Sequence, residues 1–131
     1  EGLFMKPTEG VTTLGYGDHC YVNGAYSGSH FGTDYANDEG TPIYAANHGI
    51  VTLADWTTSY GNTLIIDHGR GIFTMYLHNA ELKVEKGDVV KKGDLVATMG
   101  STGISTGPHL HFSFWVGETI VDVEPWYERE F

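Results

Sequence analysis

The chain is short of cysteine, of basic charge and of long apolar runs. Cys20 is its one cysteine, so it has no intramolecular disulfide and cannot supply the thiolate set of a zinc ribbon. The thiol reads as a small buried or loop residue. Seven basic side chains stand against 17 acidic ones, a formal net charge of −10. Such a field repels phosphate backbones, and no Lys/Arg cluster forms a local basic stripe, which argues against nucleic acid as a partner. No stretch approaches the ~18 apolar residues of a membrane-spanning helix. Glu1 opens neither a charged nor an apolar leader region, so the expectation is a mature or excised domain whose targeting segment lies elsewhere. Helical periodicity is missing over any stretch of about 12 residues, and almost no helix is expected. The helical zinc-protease signature H-E-x-x-H is absent too, which removes a glutamate base beside a helical ligand from the available mechanisms.

What the chain does have is glycine, 18 in 131 residues, with runs rich in Val, Ile, Thr, Tyr and Phe between them. The length suits one domain, residues 1–131. "TPIYAA" and "GIVTLADW" flank Asn47-His48-Gly49, "NTLIID" and "IFTMYL" flank His68-Gly69-Arg70-Gly71, and "LVATMG" and "PHLHFSFW" flank a Gly/Ser/Thr loop. Short strands at hairpin spacing predict an all-β domain with mostly antiparallel sheet. "KGDVVKKGD" reads as two turns around a short strand.

Strand parity then sorts the histidines. Along "PHLHFSFW", His109, His111, Ser113 and Trp115 share one face and Leu110, Phe112 and Phe114 the other, which goes to the core. The same reading of "FTMYLH" sends Phe73, Met75 and Leu77 inward and Thr74, Tyr76 and His78 outward. In "SHFGTDYA", His30 and Asp34 are four apart, a spacing that aligns them on a strand or a helix, and Gly32 argues against the helix. A catalytic zinc needs about three protein ligands from His, Asp or Glu and an open position for water. His30, Asp34, His78, His109 and His111 supply nitrogen and oxygen donors for such a site. Spacing alone does not say which imidazoles hold the metal. His19, His48 and His68 have turn-like surroundings and read as surface or hydrogen-bonding residues, with His68 also open as a support to the site. Asp18, His19 and Cys20 adjoin one another, but three consecutive strand residues cannot all point one way.

Taken together, "HFGTDYA", "YLHN", "KGDVVKKGD" and "GSTGISTGPHLHF" resemble the LytM/lysostaphin-type zinc metallopeptidases, which hydrolyse peptide bonds in bacterial peptidoglycan. The opening "LFMKPTEGVTTLGYG" and the closing "VDVEPWY" extend the likeness over nearly the whole chain. The resemblance implies a β domain related to the barrel-sandwich hybrids, with a groove floored by the sheet and walled by loops. It implies one Zn²⁺ per domain, held by His30, Asp34 and His111, with His78 and His109 as a catalytic pair beside it. A tyrosine near the substrate carbonyl is expected, with Tyr26 the leading candidate. Ser113 stands where many members of the family carry Glu or Gln.

The expected substrate is a peptide of peptidoglycan, cut at a stem-peptide cross-link or an interpeptide bridge, in the cell wall, the periplasm or outside the cell. Residues 17–29 and the stretch around Trp56 to Tyr60 suit groove walls. Because the chain is acidic, attachment to the wall is expected to need other domains of a longer protein. Two other classes stand beside this one. A non-hydrolytic LytM-like regulator of cell-wall amidases would lack ligands that are present here. A biotinyl- or lipoyl-type carrier needs a modifiable Lys at a hairpin tip, and "VATMGSTGIS" holds none.

Overall fold

The structure is a computed structural model that describes residues 3–14, 19–22, 25–29, 32–103 and 107–128, with side chains for 3–13, 32–103 and 107–128. Its strands are β1 (Val11–Leu14), β2 (His19–Val22), β3 (Ala25–Ser29), β4 (Thr33–Ala36), β5 (Pro42–Tyr44), β6 (Gly49–Thr57) and β7 (Gly61–Gly69). They continue as β8 (Ile72–Asn79), β9 (Glu81–Leu82), β10 (Val89–Val90), β11 (Leu95–Thr98), β12 (His109–Val116) and β13 (Thr119–Val121). One 3-10 turn, Glu124–Tyr127, is the only helical element among the described residues. The domain is all-β, as its glycine-punctuated strand runs predict.

An eight-stranded sheet runs in the order β1-β4-β12-β8-β7-β6-β10, with β13 also paired to β12; β5-β11-β9 form a second sheet and β2-β3 a third. All pairings are antiparallel. The β7–β8 hairpin turns at Arg70–Gly71, within the segment read as its turn. Asn47-His48-Gly49 does not close a hairpin: β5 pairs with β11, and β6 leaves for the large sheet, where it pairs with β7 and β10. Each Lys-Gly-Asp is a turn closed by its own aspartate. Asp88 Oδ2 accepts from the Glu85 amide and Asp94 Oδ2 from the Lys91 amide, both at 2.9 Å, on either side of β10.

The core lies between the two larger sheets. Ile43, Val96, Ala97 and Met99 meet Leu64, Ile66, Tyr76, Leu110, Phe112 and Phe114, all at most 1% exposed. Each large side chain buried this way contributes about 1.5–3 kcal/mol. Leu110, Phe112 and Phe114 take the core side of β12, as parity predicts.

On β8 the parity is reversed. Thr74 and Tyr76 are fully buried in the core, while Phe73 and Met75 stand on the opposite, groove face. The hydroxyls are tolerated inside because they are paired: Thr74 Oγ1 lies 2.9 Å from the Tyr76 hydroxyl and 2.7 Å from His68 Nε2. His68 itself is on β7 and 8% exposed, not in a turn.

Candidate metal centre

Three strands, β4, β8 and β12, bring the described candidate residues together. β12 pairs β4 on one side, with His111 opposite Asp34, and β8 on the other, with His111 opposite Leu77. His111 and Asp34 therefore project from one face of the sheet, and His111 Nδ1 lies 2.9 Å from Asp34 Oδ1. Both side chains are shielded, at 18% and 16% exposure. The ring has little freedom: a Cβ on Gly32 would sit 2.7 Å from His111 Nε2, and Gly32 has φ +147°, so only glycine lets the chain pass this close. Ser113 Oγ lies 3.2 Å from the same Nε2.

His78 reaches this face by a different route from the one parity suggests. Between the pairs Leu64↔Tyr76 and Asn62↔Asn79, β8 advances three residues while β7 advances two, which is a bulge with one extra residue on β8. His78 occupies it with φ +67°, a left-handed conformation rare for a residue with a side chain. Without the bulge it would share the core face of Thr74 and Tyr76. Buried asparagine contacts hold the distortion. Asn79 Nδ2 donates to the Asn62 and Tyr76 carbonyls, at 2.9 and 3.0 Å, and Asn62 Nδ2 donates to the Asn79 and Ala80 carbonyls, at 3.2 and 3.0 Å. Thr102 completes the support: its hydroxyl donates to the Asn79 carbonyl at 2.7 Å, and its carbonyl accepts from His78 Nδ1 at 2.7 Å. Gly61 makes room for that threonine, since a Cβ there would meet Thr102 Oγ1 at 2.2 Å.

His78 and His109 face each other with ring centroids 5.0 Å apart. His109 Nδ1 donates to the Gly107 carbonyl at 2.8 Å. A carbonyl only accepts, so Nδ1 of each ring carries a proton, and the neutral form of each has its lone pair on Nε2. Burial lowers the pKa of His78 from the usual histidine value; the Thr102 carbonyl opposes this, His109 and His111 lower it further, and Asp34 raises it. The ring is thus neutral near pH 7 and able to accept a proton.

His78 and His111 line a cavity of about 460 Å³, together with Tyr60, Met75, Leu77, Ser113, Trp115 and Ile120. Tyr60 is on the β6–β7 turn, 47% exposed, with its ring 6.4 Å from that of His78, while Trp56 is 57% exposed nearby in the chain.

The donors fit a zinc ion of the catalytic kind. Two ligands of a tetrahedral zinc at ~2.0–2.1 Å lie about 3.3 Å apart. The Asp34–His111 pair is within a few tenths of an ångström of that spacing, with one oxygen and one nitrogen donor and no thiolate. Among the described residues no group of three His, Cys, Asp or Glu is close enough to hold a metal. His30, the third expected ligand, lies outside the described residues, as does the side chain of Tyr26 on β3. His48 is exposed and accepts from the Lys92 amide at 3.2 Å through Nδ1. His68 donates from Nδ1 to the His48 carbonyl at 2.7 Å and meets Thr74 on the core side of the sheet, so its bonds do not support the candidate site.

Residues 28–123 match the sequence model of Peptidase family M23. The chain belongs to this family. Among M23-type relatives it is 43% identical over 88 residues to the peptidoglycan DD-endopeptidase ShyC of Vibrio cholerae, 67% of this chain and 20% of that protein. It is 41% identical over 83 residues to the DD-carboxypeptidase/endopeptidase Mpg of Neisseria meningitidis, 63% of this chain and 19% of that protein. The chain thus spans about a fifth of the length of these curated relatives. The solved zinc-containing peptidase from Vibrio cholerae superposes with a TM-score of 0.85 at 35% identity, over 93% of this chain and 39% of that one. The catalytic domain of lysostaphin from Staphylococcus simulans gives 0.82 at 32% identity, over 92% and 93%. The antiparallel fold read from the sequence is that of the LytM/lysostaphin-type M23 domain.

Asn62, Asn79, Thr102 and Gly61 had no place in the sequence reading, although they hold His78. The available signal was a polar Asn directly after His in "YLHN", at a position where a strand was entering the core.

Proposed function

We propose that this M23 domain is a zinc-dependent endopeptidase that cuts peptide bonds of bacterial peptidoglycan in the cell envelope. The observation that carries the reading is that a metal-type donor couple, Asp34 and His111, stands beside two imidazoles, His78 and His109, whose Nδ1 atoms are held by backbone carbonyls. His30, Asp34 and His111 hold the ion. Zinc, when bound, polarises a carbonyl and lowers the pKa of its water from ~15.7 towards ~7.

The chain's own part is to move protons. One of His78 and His109 takes the proton of the attacking water at Nε2. The other, protonated at Nε2, donates to the developing oxyanion and then to the leaving amine. The Thr102 and Gly107 carbonyls keep each ring in the orientation that presents Nε2. Asp34 supplies the negative charge that favours a cation in this acidic domain. The names of the relatives make the bond cut by DD-endopeptidases the first to assay. Other domains of a longer protein bring this acidic unit to the wall.

The test is to incubate the zinc-loaded domain with peptidoglycan of several cross-link types, with and without a chelator, and to identify released peptides by mass spectrometry. Chelator-sensitive products are expected, and they name the bond. A folded, zinc-bound sample that releases nothing from any wall type overturns the reading in favour of a non-hydrolytic regulator.

A further inference from the structure

We propose that Ser113 is a positioning residue for the metal centre. Its hydroxyl fixes which nitrogen of His111 faces Asp34 and holds the ring in both the metal-free and the metal-loaded protein. The inference rests on the reading of Asp34 and His111 as ligands.

Ser113 is 2% exposed on the floor of the groove, two residues along β12 from His111 and on the same face. Its Oγ lies 3.2 Å from His111 Nε2. The other ring nitrogen, Nδ1, lies 2.9 Å from Asp34 Oδ1. Nε2 is closed in by Gly32 as well, where a Cβ would approach to 2.7 Å. An ion held jointly with Asp34 therefore meets Nδ1 and not Nε2.

Hydrogen-bond polarity then assigns the serine its part. In the metal-free protein Asp34 only accepts, so Nδ1 carries the ring proton and Nε2 accepts from the serine hydroxyl. A ligand nitrogen must present its lone pair, so on metal binding the proton resides on Nε2 and is donated to Ser113 Oγ. One proton is lost at Nδ1 and one gained at Nε2. A hydroxyl both donates and accepts, so Ser113 serves both tautomers without moving; a carboxylate at this position would serve only the second. Coordination also makes the Nε2 proton a stronger donor, so removing the acceptor harms the loaded state more than the free one.

The experiment measures zinc affinity directly, by competition with a chromophoric chelator, for wild type, Ser113→Ala and Ser113→Thr, with thermal melts of the metal-free proteins as a folding control. Ser113→Ala is expected to bind zinc about 10–100-fold more weakly, the usual effect of losing a partner behind a metal-ligating histidine. Ser113→Thr, which keeps the hydroxyl, is expected to recover most of that loss. In parallel, ¹⁵N NMR of the wild-type His111 ring is expected to show the proton moving from Nδ1 to Nε2 on zinc addition. Wild-type affinity in a folded Ser113→Ala overturns the proposal, as does a Thr variant no better than Ala. If Ser113→Ala does not fold, the NMR experiment decides, and a zinc-loaded His111 that keeps its proton on Nδ1 overturns the assignment. Failure of the wild-type domain to bind zinc overturns the metalloenzyme reading beneath it.

Discussion

Acid should weaken this fold through one histidine remote from the groove. His68 is buried against Phe4, whose ring meets it edge-on at 5.0 Å, and it bonds the His48 carbonyl and Thr74 Oγ1. Burial is the largest influence on it and lowers its pKa from 6.5 to about 4, against smaller upward pulls from the His48 carbonyl and Asp67. The unfolded chain takes up this proton near pH 6.5, whereas the folded chain holds it off until about pH 4. The native state binds fewer protons in that window, so stability is full above pH 6.5 and falls as pH drops towards 4. At 1.36 kcal/mol per pKa unit, the loss by pH 4 is roughly 3 kcal/mol, a large share of the stability of a small domain. The assay is urea unfolding of wild type and His68→Asn at pH 7 and pH 4, with chelator present throughout. Carboxylate titration is common to both proteins, so the wild type should lose roughly 3 kcal/mol more than the variant across this range. Equal losses, or an NMR titration that puts His68 in the folded protein near 6.5, would refute the reasoning.

The other predictions concern the groove. His78→Ala and His109→Ala should each retain zinc, measured by metal analysis, and lose about 10²–10⁴-fold in turnover, the range for removal of a general acid or base. Loss of zinc in His78→Ala would make that residue a ligand instead. Asp34→Asn should weaken zinc by more than the ~10–100-fold typical of losing a group behind a ligand, and unchanged zinc content would remove Asp34 from the ligand set. Gly32→Ala should destabilise the domain by about 1–3 kcal/mol, because it strains a left-handed backbone, and should lower zinc affinity, because the new methyl displaces His111. Wild-type melting and zinc binding in that variant would contradict the close approach.

The histidines differ in how far local pattern determines them. His109 and His111 were legible because an uninterrupted strand alternates faces, and Leu110, Phe112 and Phe114 left no doubt which face was inside. His78 was assigned to the groove face for a reason that does not hold. Alternation counted from "FTMYLH" places Thr74 and Tyr76 outward, but their hydroxyls find buried partners and both go inside. A bulge then turns His78 back to the groove. Its stabilising contacts come from Asn62 and from Thr102, the latter 24 residues away, so no window of sequence contains them. His68 shows the same limit, since its turn-like surroundings hide a strand position beneath Phe4.

The sequence by itself determined the class of fold, through glycine-bounded β-branched and aromatic runs, and a set of candidate donors, through the absence of thiolates and the presence of HxxxD and HxH. Those are properties of composition and short-range spacing, which a strand preserves. Only the tertiary structure decided which nitrogen of each ring is presented and which polar residues go to the core. It also decided that a serine and a glycine close around one edge of His111. Each of these depends on backbone atoms brought together from distant strands, where a shift of one residue in register or one added methyl reverses the outcome.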